Sequence, residues 1–324
     1  RRYPTPPDSD RAVSFSAFDE RRRVFRTPLS DTTDASHRTM PQTAHDRIES
    51  PSTPQAADAL RAWLDRAGRV FVLTGAGVST ASGIPDYRDT DGEWKRTPPV
   101  TYQAFVGDAA TYRRYWARSF VGWPIFSRAE PNAAHRALAA WPQADRIAGL
   151  VTQNVDRLHQ RAGSADAIDL HGRLDRVVCL RCGAAQTRAE LQTTMSRTNR
   201  DWYSQEATAA PDGDADIDTD AIARFMPPHC AVCDGLLKPD VVFFGENVPR
   251  ERYAQALAAL HAADAVLTVG SSLMVYSGFR FARMAHERGL PIAILNRGRT
   301  RADALANLKL EADCGETLAL AMRA

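Results

Sequence analysis

The chain is poor in lysine: Lys95, Lys238 and Lys309 are the only three among 41 basic side chains in 324 residues. We read the arginine excess as a coding bias of a GC-rich genome, not as chemistry. Net charge is scarce too, at +2, so nothing in the composition calls for nucleic acid or an anionic membrane as partner. Long hydrophobic runs are missing, and none approaches the ~18–20 residues needed to span a bilayer. Cysteine is limited to five residues, and no leader with an apolar h-region precedes them. A secreted disulfide framework is therefore not expected, and a reducing compartment is. What is present, 44% hydrophobic and 25% charged residues, fits a soluble globular protein with one large domain and room for a smaller insert.

Residues 1–50 are rich in Arg, Ser, Thr, Asp and Pro and can bury little, so a disordered extension is expected there. Nine arginines stand beside eight acids in that stretch, and organellar transit peptides are poor in acids. Met40 is the expected natural start, with the upstream part an artefact. From Ser52 the pattern changes. Ser52 or Thr53 can cap a helix whose Ala57, Leu60, Leu64 and Ala67 recur at helical spacing. Strand-like runs follow in "RVFVLTGAG", "IAGLVTQN", "AIDLHG", "DVVFFGE", "AVLTVGSS" and "PIAILNRG", separated by helical patterns such as "PNAAHRALAAW" and "RERYAQALAALHAAD". Near-continuous apolar strands alternating with helices predict an α/β fold: a Rossmann-like parallel sheet with helices on both faces. Ligands gather at the carboxyl ends of such strands, which here carry Gly75-Ala76-Gly77, Gln153-Asn154, Gly270-Ser271-Ser272 and Asn296-Arg297. Residues 179–233 break the rhythm and predict a small inserted domain, leaving 51–178 and 234–324 for the large one. The alternating aspartates at 212–220 resemble a calcium loop only superficially. They lack its glycine and final glutamate in register, and read as a solvated loop.

Cys179, Cys182, Cys230 and Cys233 form two Cys-x-x-Cys pairs. Each can grip one tetrahedral ion, and four sulfur ligands leave no open position, so one structural zinc is expected. The gap of 47 residues between the pairs exceeds the roughly 15–20 common for such sites; the plainer reading is buried free thiols. The glycine turn is not a full G-x-G-x-x-G, because Thr80 stands at its last position. It reads either as a phosphate cradle or as a plain tight turn. Gln153, Asn154 and Asp156 suit ribose hydroxyls or a carboxamide, or else a strand exit and helix cap. His171, at a strand end beside Gly172, is placed for proton transfer; His159 and His229 are its rivals, and His229 is also a possible zinc ligand.

The order of "GAGVSTASGIPDYRD", "TQNVD", "LHG", the cysteine pairs, "LKPDVVFFGE", "VGSSL" and "ILNRG" resembles that of sirtuins over residues 53–320. "YWARSFVGWPIFS" and the long zinc insert resemble class II, the group containing the fourth human sirtuin. The resemblance implies an NAD-dependent protein-lysine deacylase, with NAD consumed as co-substrate and nicotinamide and O-acyl-ADP-ribose released. It implies His171 as general base and a catalytic part for Asn154. Gly75, Ala76, Gly77 and Ser79 would cradle the diphosphate. Ile84, Asp86 and Tyr87 would line the nicotinamide pocket, with Arg88 positioning the cofactor. Gln153, Asn154 and Asp156 would meet the nicotinamide ribose. Gly270, Ser271, Ser272, Asn296, Arg297, Gly298 and the backbone of Cys314 would hold the adenosine half. Val242, Phe244 and Gly245 would bind acyl-lysine proteins or peptides as an added strand. Gly298 replaces an acid common in the family. A mono-ADP-ribosyltransferase, a non-catalytic NAD- or ADP-ribose-binding module and a dehydrogenase are the alternatives. A cytoplasmic, bacterial protein is expected, mitochondrial if the source is eukaryotic.

Overall fold

Two sheets of unequal size organise the chain. The structure, a computed structural model, describes residues 46–48, 51–95, 98–141, 146–202 and 219–323. The strands are β1 (Asp46–Ile48), β2 (Val70–Thr74), β3 (Ile147–Thr152), β4 (Ile168–Asp169), β5 (Gly172–Cys179), β6 (Ala185–Thr187), β7 (Leu237–Val241), β8 (Ala265–Val269), β9 (Ile292–Leu295) and β10 (Leu308–Leu310). The helices are α1 (Thr53–Arg66), α2 (Tyr102–Gly107), α3 (Ala109–Ser127), α4 (Ala133–Ala139), α5 (Leu158–Arg161), α6 (Arg188–Thr198), α7 (Thr219–Arg224), α8 (Arg250–His261), α9 (Tyr276–Glu287) and α10 (Cys314–Ala321). None of the described helices is long and apolar enough to cross a membrane.

The large sheet has the order β1-β10-β9-β8-β2-β3-β4, and every pair in it is parallel. Every residue of β2, β8 and β9 is buried, which is why these strands read as unbroken apolar runs. Alternate side chains serve opposite faces. Val70, Val72, Leu267 and Leu295 pack with Leu60, Leu138 and Leu318 of α1, α4 and α10. Phe71, Leu73, Val266 and Ile294 pack with Leu260, Phe281 and Ala285 of α8 and α9. α1 starts at a capping box between Ser52 and Gln55, which satisfies amide groups that a helix start leaves bare.

The chain builds outward from β2 through β3 to β4, then returns to β8 on the other side of β2. That reversal opens a crevice at the carboxyl ends of β2 and β8, where doubly wound sheets bind ligands. The small sheet, β6-β5-β7, is antiparallel. It runs from Gly172 to Val241, so its strands extend beyond both cysteine pairs. Its core joins Val177, Leu191 and Leu237 to Phe105, Tyr112, Trp116 and Phe120 of α2 and α3.

Two expectations change. "DVVFFGE" is not a strand of the parallel sheet: the strand occupies Leu237–Val241 in the small antiparallel sheet, and residues 242–246 leave it. Val242 N–H donates to His171 O at 2.8 Å, and Phe244 O accepts from Tyr102 N at 2.8 Å, so loop contacts hold this apolar run. Within the stretch expected to lack structure, Asp46–Ile48 pairs with Leu308–Leu310 as the edge strand; backbone pairing needs no apolar side chains. The rest of that stretch, and the aspartate-rich residues 212–218, lie outside the described residues.

Candidate active site and metal centre

One cavity of about 710 Å³ opens at the reversal of the sheet, within the range of ligand sites. Its floor is two turns pressed together. Gly75 N–H donates to Val269 O at 3.1 Å and Gly77 N–H to Gly270 O at 2.8 Å. A Cβ on Gly75 would lie 2.7 Å from that of Ser271, and one on Gly77 would lie 3.0 Å from Gly270 Cα. Gly270 has φ +59°, and its added Cβ would come 2.5 Å from Val78 N. Gly270→Ala is therefore expected to cost about 1–3 kcal/mol through strain and to wedge the turns apart. Denaturant melts and NAD titration check this; wild-type stability with wild-type affinity would contradict it.

Behind the turns lies a buried polar network. Ser79 Oγ donates to Asp156 Oδ2 at 2.7 Å and accepts from Asn154 Nδ2 at 2.9 Å. Burial raises the Asp156 carboxyl, and hydrogen bonds from Leu158 N–H and Ser79 partly oppose that rise. Gln153 Nε2 donates to Ser271 Oγ at 2.7 Å, tying the end of β3 to the end of β8.

His171 sits between β4 and β5, where Gly172 turns the chain at φ +87°. Its Nδ1 lies 3.1 Å from Gln153 O, and its Nε2 lies 2.7 Å from Ser277 Oγ. A carbonyl only accepts, so Nδ1 carries the proton and Nε2 is the lone-pair nitrogen. Ser277, on the first turn of α9, then donates to it. Burial pushes His171 down to about 4, which keeps the ring neutral and able to accept a proton at neutral pH.

The two rival histidines are accounted for otherwise. His159 is buried beneath the sheet end, with Nε2 2.9 Å from Thr74 Oγ1, and His229 stands beside Tyr112 and bridges Leu236. Burial also lowers His135 to about 4 and His159 to about 3. An unfolded histidine titrates near ~6.5. Below that pH the unfolded chain binds protons that the native His135, His159 and His171 refuse, so stability falls as the pH drops from ~6.5 towards ~4. Asp156 and Asp169, raised by burial, act in the opposite sense as the carboxylate range is approached. The melting temperature is expected to fall between pH 6.5 and 5; a flat profile there would contradict the buried, neutral assignment.

Ile84, Asp86, Tyr87 and Arg88 form another wall of the cavity. Lys95 pairs with Asp86. Arg88 stacks 3.9 Å over Trp94 and donates to Gly92 O at 2.7 Å. Trp94 in turn meets Tyr87 and Phe244, with ring centroids 6.2 and 5.6 Å apart. Val242, Phe244, Gly245, Ser272, Asn296, Arg297 and Cys314 also line it. Burial pushes the Cys314 thiol up to about 12, so it stands as a neutral thiol at neutral pH. Gly298 lies apart. It lines a smaller neighbouring cavity, and a Cβ there would meet Thr90 O at 2.4 Å, so Gly298 is packed under Thr90. Trp94 and Ser277 were not foreseen, because nothing local in the sequence places them against Phe244 and His171.

Far along the chain, the four cysteine sulfurs converge within 4.8 Å of one another. Cys179 and Cys233 Sγ are 3.5 Å apart, and Cys182 and Cys230 Sγ are 3.7 Å apart. Four thiolates ~2.3 Å from one ion would stand ~3.8 Å from each other in a tetrahedron. The residues present therefore fit one structural zinc.

The Sir2 family matches residues 75–277. An NAD-dependent protein deacetylase of Xanthomonas campestris is 60% identical over 265 residues, covering 82% of this chain and 90% of that protein. One from Bordetella bronchiseptica is 57% identical, covering 81% and 95%. A solved structure described as a Sir2, p53 peptide and NAD+ complex superposes with a TM-score of 0.62 at 30% identity, covering 80% of this chain and 94% of that one.

Proposed function

The chain belongs to the Sir2 family, and from that premise we propose that it is an NAD-dependent protein-lysine deacylase. The observation that carries the reading is His171: a neutral base of defined tautomer in the same cavity as the two glycine-rich turns. Those turns suit NAD: their glycines let the two backbones pack directly on each other at the cavity floor, where backbone groups can approach a diphosphate. When bound, NAD supplies an activated ribose carbon, from which nicotinamide departs and to which the acyl oxygen is delivered.

The protein's own groups do the rest. Gly75, Ala76, Gly77, Ser271 and Ser272 hold the phosphate and adenosine side. Asn154, which is buried, and Asp156, which is partly buried, are locked through Ser79 and orient the reacting half. The Tyr87-Trp94-Phe244 aromatic wall keeps water from it, and orientation with water exclusion can contribute ~7–11 kcal/mol towards the barrier. His171 Nε2 exchanges its Ser277 partner for a reactant hydroxyl and takes that proton, a step worth ~10²–10⁴-fold. Residues 242–245 take the substrate backbone alongside the cavity. The zinc serves folding and no chemistry.

The class II grouping is also our reading. Tyr87 in the cavity wall and the 47-residue separation of the cysteine pairs support it. We likewise take the zinc-binding insert to be built around residues 179–233, with the strands of its sheet reaching out to Gly172 and Val241. A panel of acyl-lysine peptides with NAD, read by nicotinamide release, tests the function. Release that depends on both the peptide and NAD is expected; no release with any acyl group would overturn it.

A further inference from the structure

The charged groups that line the cavity are nearly all satisfied from within. Asp86 has Lys95, Asp156 has Ser79, Glu246 has Lys238 at 3.0 Å, and Arg297 has Asp313 at 3.2 Å. Arg280 is the exception. Arg280 lines the cavity, and among the described residues its guanidinium has neither a carboxylate nor a hydrogen-bond acceptor, while its Nε is buried without a partner. It lies three residues from Ser277 on α9, and residues at that spacing share a helix face. Ser277 touches His171, so Arg280 stands one turn further along the same wall.

Aromatic rings fix where this guanidinium sits. Its carbon lies 4.8 Å from the Tyr253 ring centroid and 5.1 Å from that of Tyr276. Stacking covers the faces of a guanidinium and leaves its edge N–H groups to bind in plane, the arrangement suited to a carboxylate. Tyr276 is itself 42% exposed, which places Arg280 at the rim of the cavity. Two more guanidinium groups gather round that ring, Arg283 at 5.6 Å and Arg301 at 5.8 Å. Of the three, only Arg283 has an acid partner among the described residues, Glu287 on the exposed side of α9. The rim is thus positive on a chain whose net charge is only +2.

Resting on the deacylase reading, we propose that Arg280, supported by Arg301, is a specificity site for a carboxylate side chain beside the acyl-lysine. The enzyme then prefers substrates whose modified lysine is flanked by Asp or Glu. The rim position selects a flanking residue over the end of the acyl chain, because what crosses a rim is the peptide itself. The interaction is partly exposed, so it contributes discrimination more than raw affinity, and it weakens with salt.

The test is a set of acetyl-lysine peptides with Asp or Glu, or the isosteric Asn or Gln, at each neighbouring position. Both kcat/KM and binding by fluorescence anisotropy are measured. The wild type is expected to favour an acidic neighbour by ~three- to tenfold at low salt, acting through KM. In Arg280→Gln that ratio is expected to fall to about one, and in Arg280→Glu to invert in favour of Lys-flanked peptides. A thermal melt confirms folding, and the Arg280→Glu inversion is a gain that misfolding does not produce. A wild type indifferent to flanking charge, a ratio unchanged in Arg280→Gln, or an effect confined to carboxylate-ended acyl groups on neutral peptides would each overturn the proposal. Acidic preference in anisotropy without nicotinamide release from any peptide would uphold the rim site while refuting the deacylase reading. Release without preference would do the reverse.

Discussion

His171→Ala is expected to lower turnover by ~10²–10⁴-fold while leaving NAD binding nearly intact. The reasoning starts from the ring's two hydrogen bonds. Gln153 O fixes the proton on Nδ1, and this leaves the Nε2 lone pair facing the cavity. Burial keeps that lone pair free of a proton at neutral pH. No other described histidine lines the cavity, so no second imidazole stands ready to replace it. The glycine turns, Ser79 and Asn154 do not bond to the ring, so the cradle for the nucleotide survives its removal. Calorimetry with NAD and single-turnover rates on an acyl-peptide separate the two effects. Turnover above a tenth of wild type would remove His171 from its role, and a collapse of NAD binding would make that role structural.

Removing the zinc is expected to unfold the small sheet and abolish activity indirectly. Cys179 and Cys230 are buried within the aromatic core that includes Tyr112, Trp116, Phe225 and Phe243. Tyr112 bridges this core, donating to Pro228 O at 2.6 Å and accepting from Leu237 N–H at 3.0 Å. Structural zinc contributes roughly 10–16 kcal/mol in small domains, comparable with the whole stability of a typical fold at about 5–15 kcal/mol. Without the ion, thiolates that close together repel, and the turn holding Cys230 and Cys233 loses its anchor. Phe243 links this core to the cavity wall, so the damage reaches the substrate side. Elemental analysis is expected to give one zinc per chain. Chelation is expected to shift tryptophan fluorescence and to release hydrogen-exchange protection over residues 172–202 and 219–241, while β2, β8 and β9 stay protected. Metal-free protein that keeps both fold and rate would defeat the structural assignment.

The parts of the molecule legible in the sequence are those whose signal is local. β2, β8 and β9 are buried on both faces, so their apolar runs are continuous and end in visible turns. The cysteine pairs announce themselves by spacing alone. β10 hides because its central residue, Lys309, is buried against Asp303 at 2.9 Å, which breaks the apolar pattern. β7 hides for a related reason: Lys238 and Pro239 stand inside it, with Lys238 paired to Glu246. The neighbouring apolar residues 242–244 look more strand-like but line a cavity instead. Ser277, Trp94 and Arg280 belong to a third kind. Their significance arises only when α9 returns beside the end of β4 and when residues 84–95 fold over Phe244, contacts that span long sequence separations.

The reaction itself is tested most directly by weighing the nucleotide left after incubation with NAD and an acyl-lysine peptide. The account predicts ADP-ribose heavier by the mass of the acyl group, in amounts equal to the free lysine and nicotinamide formed. A peptide that gains ADP-ribose, NAD recovered as NADH, or both reactants recovered unchanged would contradict it.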